Sequence, residues 1–269
     1  MKQNVYLHTQ KKIKMTLNII ERHKLILNKL EQKGYVNVNE LSEDFGVSVV
    51  TIRKDLKLLE ARKLLFRSHG RAIPADPYIT EHPVNIKEKI HAKEKTLIAI
   101  TAATELENNE SIIIASGTSV IEFTKHIKQI EGLTVLTASL NSAIILAENP
   151  NIDVIQLGGM MRRSSSSVVG PISEKMLAEF TFTKLFLGVD GIDLDYGLTT
   201  TNAMEASLNK QMIAVAHKII VLADSSKFGK KGFGRICGIE DVDQIITDSG
   251  IDEKTKKRLE ELGVDVTIV

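Results

Sequence analysis

The chain reads as a small, basic, helical unit joined to a larger α/β unit with a mainly parallel sheet. Three observations predict this. Charge is divided along the chain: residues 1–73 carry 15 Lys and Arg against 7 Asp and Glu, and residues 74–269 carry 20 against 27. Three of the five prolines, Pro74, Pro77 and Pro83, fall within ten residues where the charge changes sign. Proline removes a backbone donor and disfavours helix in the residue before it, so this stretch reads as an extended linker. Finally, the apolar pattern changes there, from helical spacing to short β-branched runs that alternate with helices. The expected organisation is a first domain over 15–73, a linker over 74–86 and a second domain over 87–269.

In the first domain, Ile19, His23, Ile26, Leu27 and Leu30 share one helical face, and Gly34 ends that helix. Asn37 can cap the next helix, with Glu40 completing a capping box. Val38, Leu41 and Phe45 point inward from it. Gly46 supplies a tight turn and Ser48 caps a third helix, in which Ile52, Leu56 and Leu59 repeat at helical spacing. Leu65–Gly70 reads as a short hairpin. Two short helices joined through one glycine have the spacing of a helix-turn-helix, in which core residues fix the second helix so that its first turns protrude. Those turns carry Ser48, Val49, Val50, Thr51, Arg53 and Lys54. Arg and Lys reach guanine edges or phosphates, valine methyls pack on thymine methyls, and a helix N-terminus receives a phosphate. The hairpin adds Arg67, His69 and Arg71 as a wing. A three-helix protein-interaction module would use the same core, but the basic face and the excess of cations favour double-stranded DNA.

In the second domain, a helical pattern runs from about Lys87 to Leu106. The apolar runs Ile112–Ala115, Leu133–Leu136, Val154–Leu157, Leu185–Val189, Ile219–Ala223, Ile245–Thr247 and Val264–Val269 predict strands. Helical stretches such as Val120–Gln129, Ala203–Ala216 and Glu253–Leu262 lie between them. This alternation predicts a parallel sheet covered on both faces, with ligands at the carboxyl ends of its strands. Polar motifs stand at those ends: Ser116-Gly117-Thr118-Ser119, Thr137-Ala138-Ser139, Gly158-Gly159, Asp190-Gly191 and Asp224–Lys227. Hydroxyls and free amides at a helix N-terminus cradle anions, so the five motifs together predict a pocket for a small phosphorylated, polyhydroxylated molecule. Ser164–Ser167 reads as a loop.

Composition narrows the classes further. Apolar residues make up 43% and charged residues 26%, which excludes wholesale disorder. No apolar run approaches the ~18 residues of a membrane span, and Met1–Lys14 lacks the apolar core of a signal peptide. The single Cys237 excludes an intramolecular disulfide and fits the cytoplasm. Trp is absent and aromatics are 4%, so stacking surfaces for single-stranded nucleic acid are scarce. No nucleophile elbow, phosphate loop or dinucleotide fingerprint is present, and the glycines of Gly229–Gly234 have the wrong spacing for one. The histidines lack metal-ligand spacing, so neither a metal nor a cofactor is expected.

The segments ERHKLILNKL, VNVNELSEDFGVSVVTIRKDLKLLE and LLFRSHG resemble the winged helix-turn-helix of DeoR-family bacterial transcription regulators, with Thr51-Ile52-Arg53-Lys54-Asp55-Leu56 matching the family's recognition helix. The family usually follows its wing histidine with two glycines, whereas Gly70 and Arg71 stand here. It also usually begins near the ERH segment, which makes Met1–Lys14 an added basic arm or Met15 the start. SGTS, TASLN, LGGM, Gly188–Gly191, Gly197-Leu198-Thr199, Glu205 and DSSKFG are similar to the family's sensor domain, which resembles the ribose-5-phosphate isomerase and CoA-transferase fold. The resemblance implies a phosphate at Ser116–Ser119, further contacts from Thr137–Ser139, and sugar hydroxyls near Asp190, Glu205 and Lys227. It also implies a repressor that is released from operator DNA by a phosphorylated sugar and acts as a homo-oligomer, dimer or tetramer. The competing expectation is an isomerase-like enzyme with a DNA-binding head. Against it, the isomerase's D-G-A-D signature reads here as Gly188-Val189-Asp190-Gly191, so its paired aspartates are missing.

Overall fold

A computed structural model describes residues 18–33, 35–62, 64–68, 71–74, 84–128 and 130–269. The chain divides into two compact units between Asp76 and Pro77. Gly34, His69, Gly70, Pro77, Pro83 and the arm Met1–Lys14 lie outside the described residues.

The first unit runs α1 (Ile19–Lys33), β1 (Val36–Asn37), α2 (Val38–Phe45), α3 (Val49–Ala61), β2 (Leu65–Ser68) and β3 (Arg71–Pro74). Asn37 caps α2 by accepting the Asn39 N–H at 2.9 Å, one residue earlier than a capping box would close. Gly46 leaves α2 at φ 62°, ψ 31°, a left-handed conformation that a side chain disfavours. Ser48 Oγ then accepts the Thr51 N–H at 3.1 Å and starts α3. Ile26, Leu30, Leu41, Ile52, Leu56, Leu59 and Leu65 form a closed core. Ile19, expected on that face, is exposed at the helix start. The hairpin gains a third strand, since β1 pairs antiparallel with β3 and gives the order β1-β3-β2. Two residues between helices are too short to signal a strand.

The second unit begins with α4 (Val84–Lys87) and α5 (Ala92–Ala103), followed by β4 (Ser111–Ile114), α6 (Thr118–Lys125), β5 (Leu133–Thr137), α7 (Leu140–Ala147) and β6 (Ile152–Gln156). Next come β7 (Met160–Arg162), β8 (Ser167–Val169), α8 (Pro171–Leu177), β9 (Phe182–Gly188), β10 (Gly191–Asp193), β11 (Gly197–Thr200) and α9 (Ala203–Ala214). It ends with β12 (Ala216–Leu222), β13 (Gly234–Cys237), β14 (Gln244–Thr247), α10 (Glu253–Glu261) and β15 (Asp265–Ile268).

Seven strands form one sheet in the order β15-β14-β12-β9-β4-β5-β6, parallel throughout. Alternate residues of each strand enter opposite cores, as period-2 geometry requires. Ile113, Leu185, Leu187 and Val221 pack with residues of α8, α9 and α10, while Ile112, Ile114, Phe186 and Ile220 pack with α5, α6 and α7. Phe123 of α6 stacks on Phe186 with centroids 4.3 Å apart.

Three expectations need correction. The helix foreseen from Lys87 to Leu106 is two helices, because His91 turns left-handed at φ 53° and the Lys95 ammonium closes the turn onto the carbonyls of Lys87 and Ile90, at 2.6 and 2.7 Å. Ser164–Ser166 do form a turn, that of an antiparallel hairpin of β7 with β8, but Ser167, expected in the loop, opens β8 and is fully buried. Finally, β10, β11 and β13 form a small antiparallel sheet that the apolar runs did not reveal, since strands of three or four residues with glycine carry little periodicity.

Gly197 opens β11 at φ 97°, and a Cβ there would overlap the Cys237 carbonyl oxygen. Gly197→Ala should therefore destabilise by more than about 2 kcal/mol, against about 1–2 kcal/mol for the exposed Gly46→Ala, whose penalty is that of its left-handed backbone. Chemical denaturation of both variants checks the order.

Candidate functional site

On α3 the side chains divide by face. Ile52, Asp55, Leu56 and Leu59 are buried, while Val50, Arg53 and Lys54 are exposed, as is the capping Ser48, and Val49 and Thr51 are half-buried. Asp55 is the unusual member, a carboxylate 2% exposed. It accepts Arg22 Nε at 2.5 Å and Arg22 Nη2 at 3.0 Å, and lies 3.2 Å from His23 Nε2. A bidentate, buried pair of this kind fixes the rotation of α3 against α1, which keeps Arg53 and Lys54 facing outward. The hydrogen bonds and charge of Asp55 hold the Arg22 guanidinium above its ordinary pKa, against the desolvation of burial. In the hairpin, Arg67 gives its backbone N–H and its Nε to Glu60 at 3.0 and 2.7 Å. Arg71 lies in β3, and the His69 tip is outside the described residues.

The second site follows from topology. From β4 the chain steps outward to β5 and β6, and it then returns through β9, beside β4, to step the other way. Adjacent parallel strands whose exits diverge leave a crevice at their carboxyl ends. A cleft of about 590 Å³, its open mouth included, lies there. Ser116–Ser119 enter it after β4, with Gly117 at φ 127° beginning α6, whose N-terminus has no side-chain cap among the described residues. Gly188–Asp190 enter it after β9, Thr200 and Thr201 at the end of β11, and Glu205 and Lys227 complete it.

The cleft is highly charged. Lys87 Nζ pairs with Asp190 Oδ1 at 2.5 Å, and Arg162 Nη1 pairs with Glu205 Oε2 at 2.5 Å. Ser116 donates its hydroxyl to Glu205 Oε1 at 2.6 Å. The Thr200 hydroxyl lies 3.1 Å from Asp190 Oδ2 and 3.2 Å from Glu205 Oε2, and the Thr201 N–H donates to Asp190 Oδ2 at 3.2 Å. Both carboxylates are thus engaged, whereas the Lys227 ammonium makes no hydrogen bond among the described residues. Burial pushes the Asp190 carboxyl up, but the charges of Lys87 and Lys227 and the hydrogen bonds from Lys87 and Thr201 outweigh it and bring it down to about 2. A carboxylate held there is a poor general base at neutral pH. Burial likewise pushes the Cys237 thiol up to about 12, so it is no ready nucleophile. Among the described residues no group of three or more His, Cys, Asp and Glu side chains could hold a metal, and no helix is long and apolar enough to cross a membrane. The arrangement suits an anion bearing hydroxyl groups.

The structure brings Ser116, Gly117, Thr118, Ser119, Asp190, Glu205 and Lys227 together in this cleft. It places the other expected contacts elsewhere. Thr137 donates its hydroxyl to the Ile114 carbonyl at 2.7 Å, Ala138 is buried, and Ser139 caps α7 by accepting the Ser142 N–H. The Gly158 carbonyl accepts the Ser173 hydroxyl at 2.6 Å, and a Cβ on Gly159 would overlap Ser173 Oγ. These five residues support the ends of β5 and β6 instead of lining the cleft. Sequence reasoning missed Lys87, Arg162, Thr200 and Thr201. Arg162 stands in a three-residue strand with no apolar periodicity and offered only its charge. The threonine run Thr199–Thr201, overlapping the Gly197–Thr199 turn, was the one visible hint.

Comparison with known proteins gives the same division. The model of the DeoR-like helix-turn-helix domain matches residues 22–77, and that of the DeoR C terminal sensor domain matches residues 90–249. The chain is 37% identical over 251 residues to the HTH-type transcriptional regulator YulB of Bacillus subtilis (strain 168), covering 93% of this chain and 97% of the relative. It is 30% identical over 246 residues to the transcriptional repressor AccR of Agrobacterium fabrum (strain C58), covering 88% and 95%. A solved D-ribose-5-phosphate isomerase in complex with phospho-erythronic acid aligns with TM-score 0.39 and 17% identity over 51% of this chain and 54% of the isomerase.

Two outcomes follow from this geometry. Asp55→Ala leaves the Arg22 guanidinium buried without its carboxylate and should cost about 3–5 kcal/mol, whereas exposed Arg53→Ala should stay within about 0.5 kcal/mol; urea denaturation separates them. Burial, with the charges of Lys227 and Lys87, also brings Lys95 down to about 8 from 10.5, against the opposing pull of Asp224 and Glu88. Its folded pKa lies below its unfolded one, so the cost of burying the cation is full below pH 8 and fades as pH rises from 8 to 10.5. Lysine side-chain NMR should show one signal titrating near 8 that is absent from Lys95→Gln.

Proposed function

The chain belongs to the DeoR family of transcription regulators, and from that premise we propose that it is a cytoplasmic repressor that leaves its operator when a phosphorylated sugar or related metabolite enters the cleft of its second unit. One observation carries the reading: the uncapped N-terminus of α6 and the cations Lys87, Arg162 and Lys227 share one crevice with two carboxylates. A phosphate suits the helix N-terminus and the cations, and hydroxyls suit the carboxylates.

On this reading the first turns of α3, with Ser48, Val49, Val50, Thr51, Arg53 and Lys54, face the major groove, and Arg67, His69 and Arg71 meet the backbone or minor groove. A single reading head binds weakly, so the protein works as a homo-oligomer that places two or more heads on repeated half-sites. Effector and operator then oppose one another, and each weakens the other by the same factor.

Calorimetric titration with a panel of sugar phosphates, with and without operator DNA, tests the reading, and equal affinities in the two titrations would refute the release. Arg53→Ala should weaken operator binding by roughly 1–3 kcal/mol. Lys227→Gln should weaken effector binding by roughly 1.5–3 kcal/mol and leave operator affinity unchanged. Gel-shift measurements at fixed salt, alongside the titrations, check both.

A further inference from the structure

Each carboxylate in the cleft is neutralised by a cation from an element outside the seven-stranded sheet. Arg162 is the one buried residue of β7, whose Met160 and Met161 are 53% and 55% exposed, and it is the residue of that strand that pairs with Glu205. Lys87 closes α4, a four-residue helix with no buried residue. Polar contacts hold α4 in place: the Lys87 pair with Asp190, the Val84 N–H on the Ser164 carbonyl at 2.8 Å, and the Lys95 bonds beyond it. The Val84–Ser164 bond joins α4 to the turn of the same hairpin that carries Arg162. Moreover, α4 is the first described element after the residues that join the two units.

We propose that the pairs Arg162–Glu205 and Lys87–Asp190 form a partner-exchange latch: the ligand's phosphate takes the two cations while its hydroxyls bond the two released carboxylates, and the exchange re-seats α4. This rests on the reading of the cleft given above and adds its selectivity and its moving part. An anion alone would strip a cation from a buried carboxylate and leave that carboxylate uncompensated, which is costly. A neutral polyol would meet carboxylates already engaged by cations. Only a ligand that carries a phosphate and hydroxyls together replaces every contact it breaks. The latch therefore selects phosphate esters of polyhydroxy compounds over either half.

The test uses the full chain and inorganic phosphate as the probe. Glu205→Gln keeps the side-chain shape but no longer holds Arg162 by charge. It should tighten phosphate binding by roughly tenfold over the unaltered chain, and adding Arg162→Gln should cancel the gain. A site in which Glu205 merely supports the fold would instead bind phosphate equally or more weakly in Glu205→Gln, and that result overturns the latch while leaving the anion cleft standing. Failure of phosphate and of the sugar-phosphate panel to bind any of the three proteins overturns the cleft reading and the latch together. Hydrogen exchange of residues 84–91 should change when the unaltered chain is saturated with the tightest-binding member of the sugar-phosphate panel, and unchanged exchange there overturns the re-seating of α4.

Discussion

The reversal of strand order between β4 and β9 is the constraint on which the larger unit depends. Two neighbouring parallel strands, paired from Ile112 with Lys184 to Ile114 with Phe186, send their exits to opposite sides. No helix can cross over the gap between those exits without breaking the right-handed crossovers on either side. The gap stays open, and the first polar residues after each strand face into it. The sheet below is rigid because it is buried on both faces, and Phe123 stacks on Phe186 in the very strand that leads to Asp190. A rigid floor with polar exits above it positions charge without spending conformational freedom on each ligand encounter.

Buried ion pairs stabilise a fold weakly, because the cost of removing two charges from water offsets their attraction. The pairs of this cleft are better understood as fixing which groups face which. Asp190 collects Lys87, the Thr200 hydroxyl and the Thr201 N–H, and Glu205 collects Arg162, the hydroxyl of Ser116 and that of Thr200. Thr200 stands between the two carboxylates and has one proton to give, so any change at one carboxylate is felt at the other. That sharing couples the strand exit at Asp190 to the first turn of α9 at Glu205.

Much of this was legible in the sequence where the physical signal was long. Each apolar run from Ile112 to Val269 overlaps a strand of the parallel sheet, because a strand buried on both faces is apolar at nearly every position. The capping of α3 by Ser48 and the turn at Gly46 were legible for a related reason, since few residues suit those positions. Short elements were not. The hairpin β7–β8, the sheet of β10, β11 and β13, and the two-residue β1 carry too few residues to show a period, and β1 and β13 depend on partners distant in sequence. The cleft was half legible: motifs at every strand end look alike in sequence, but those after β4 and β9 converge at the reversal, with Lys227 joining them from beyond β12, whereas those after β5 and β6 do not. The ends of β5 and β6 lie one and two strands beyond β4, a separation of roughly 5–10 Å at ordinary strand spacing. Their hydroxyls and glycines turn to capping and backbone support instead.

The smaller unit handles charge by the same logic with the opposite emphasis. Asp55 and Arg22 are buried and bidentate, so that pair is costly to break and serves as a fixed strut between α1 and α3. Arg67 and Glu60 lie at the surface, and a pair of that kind is worth little. On the proposed reading, Arg67 can trade Glu60 for a DNA phosphate at small cost, while Arg22 cannot leave Asp55. Asp55 sits midway along α3 and Glu60 near its end, so one pair holds the helix in place and the other stands ready to exchange. On that reading, α3 is held fixed where its side chains would read bases, and Arg67 is left free to exchange partners where it would meet only a backbone whose geometry varies with sequence.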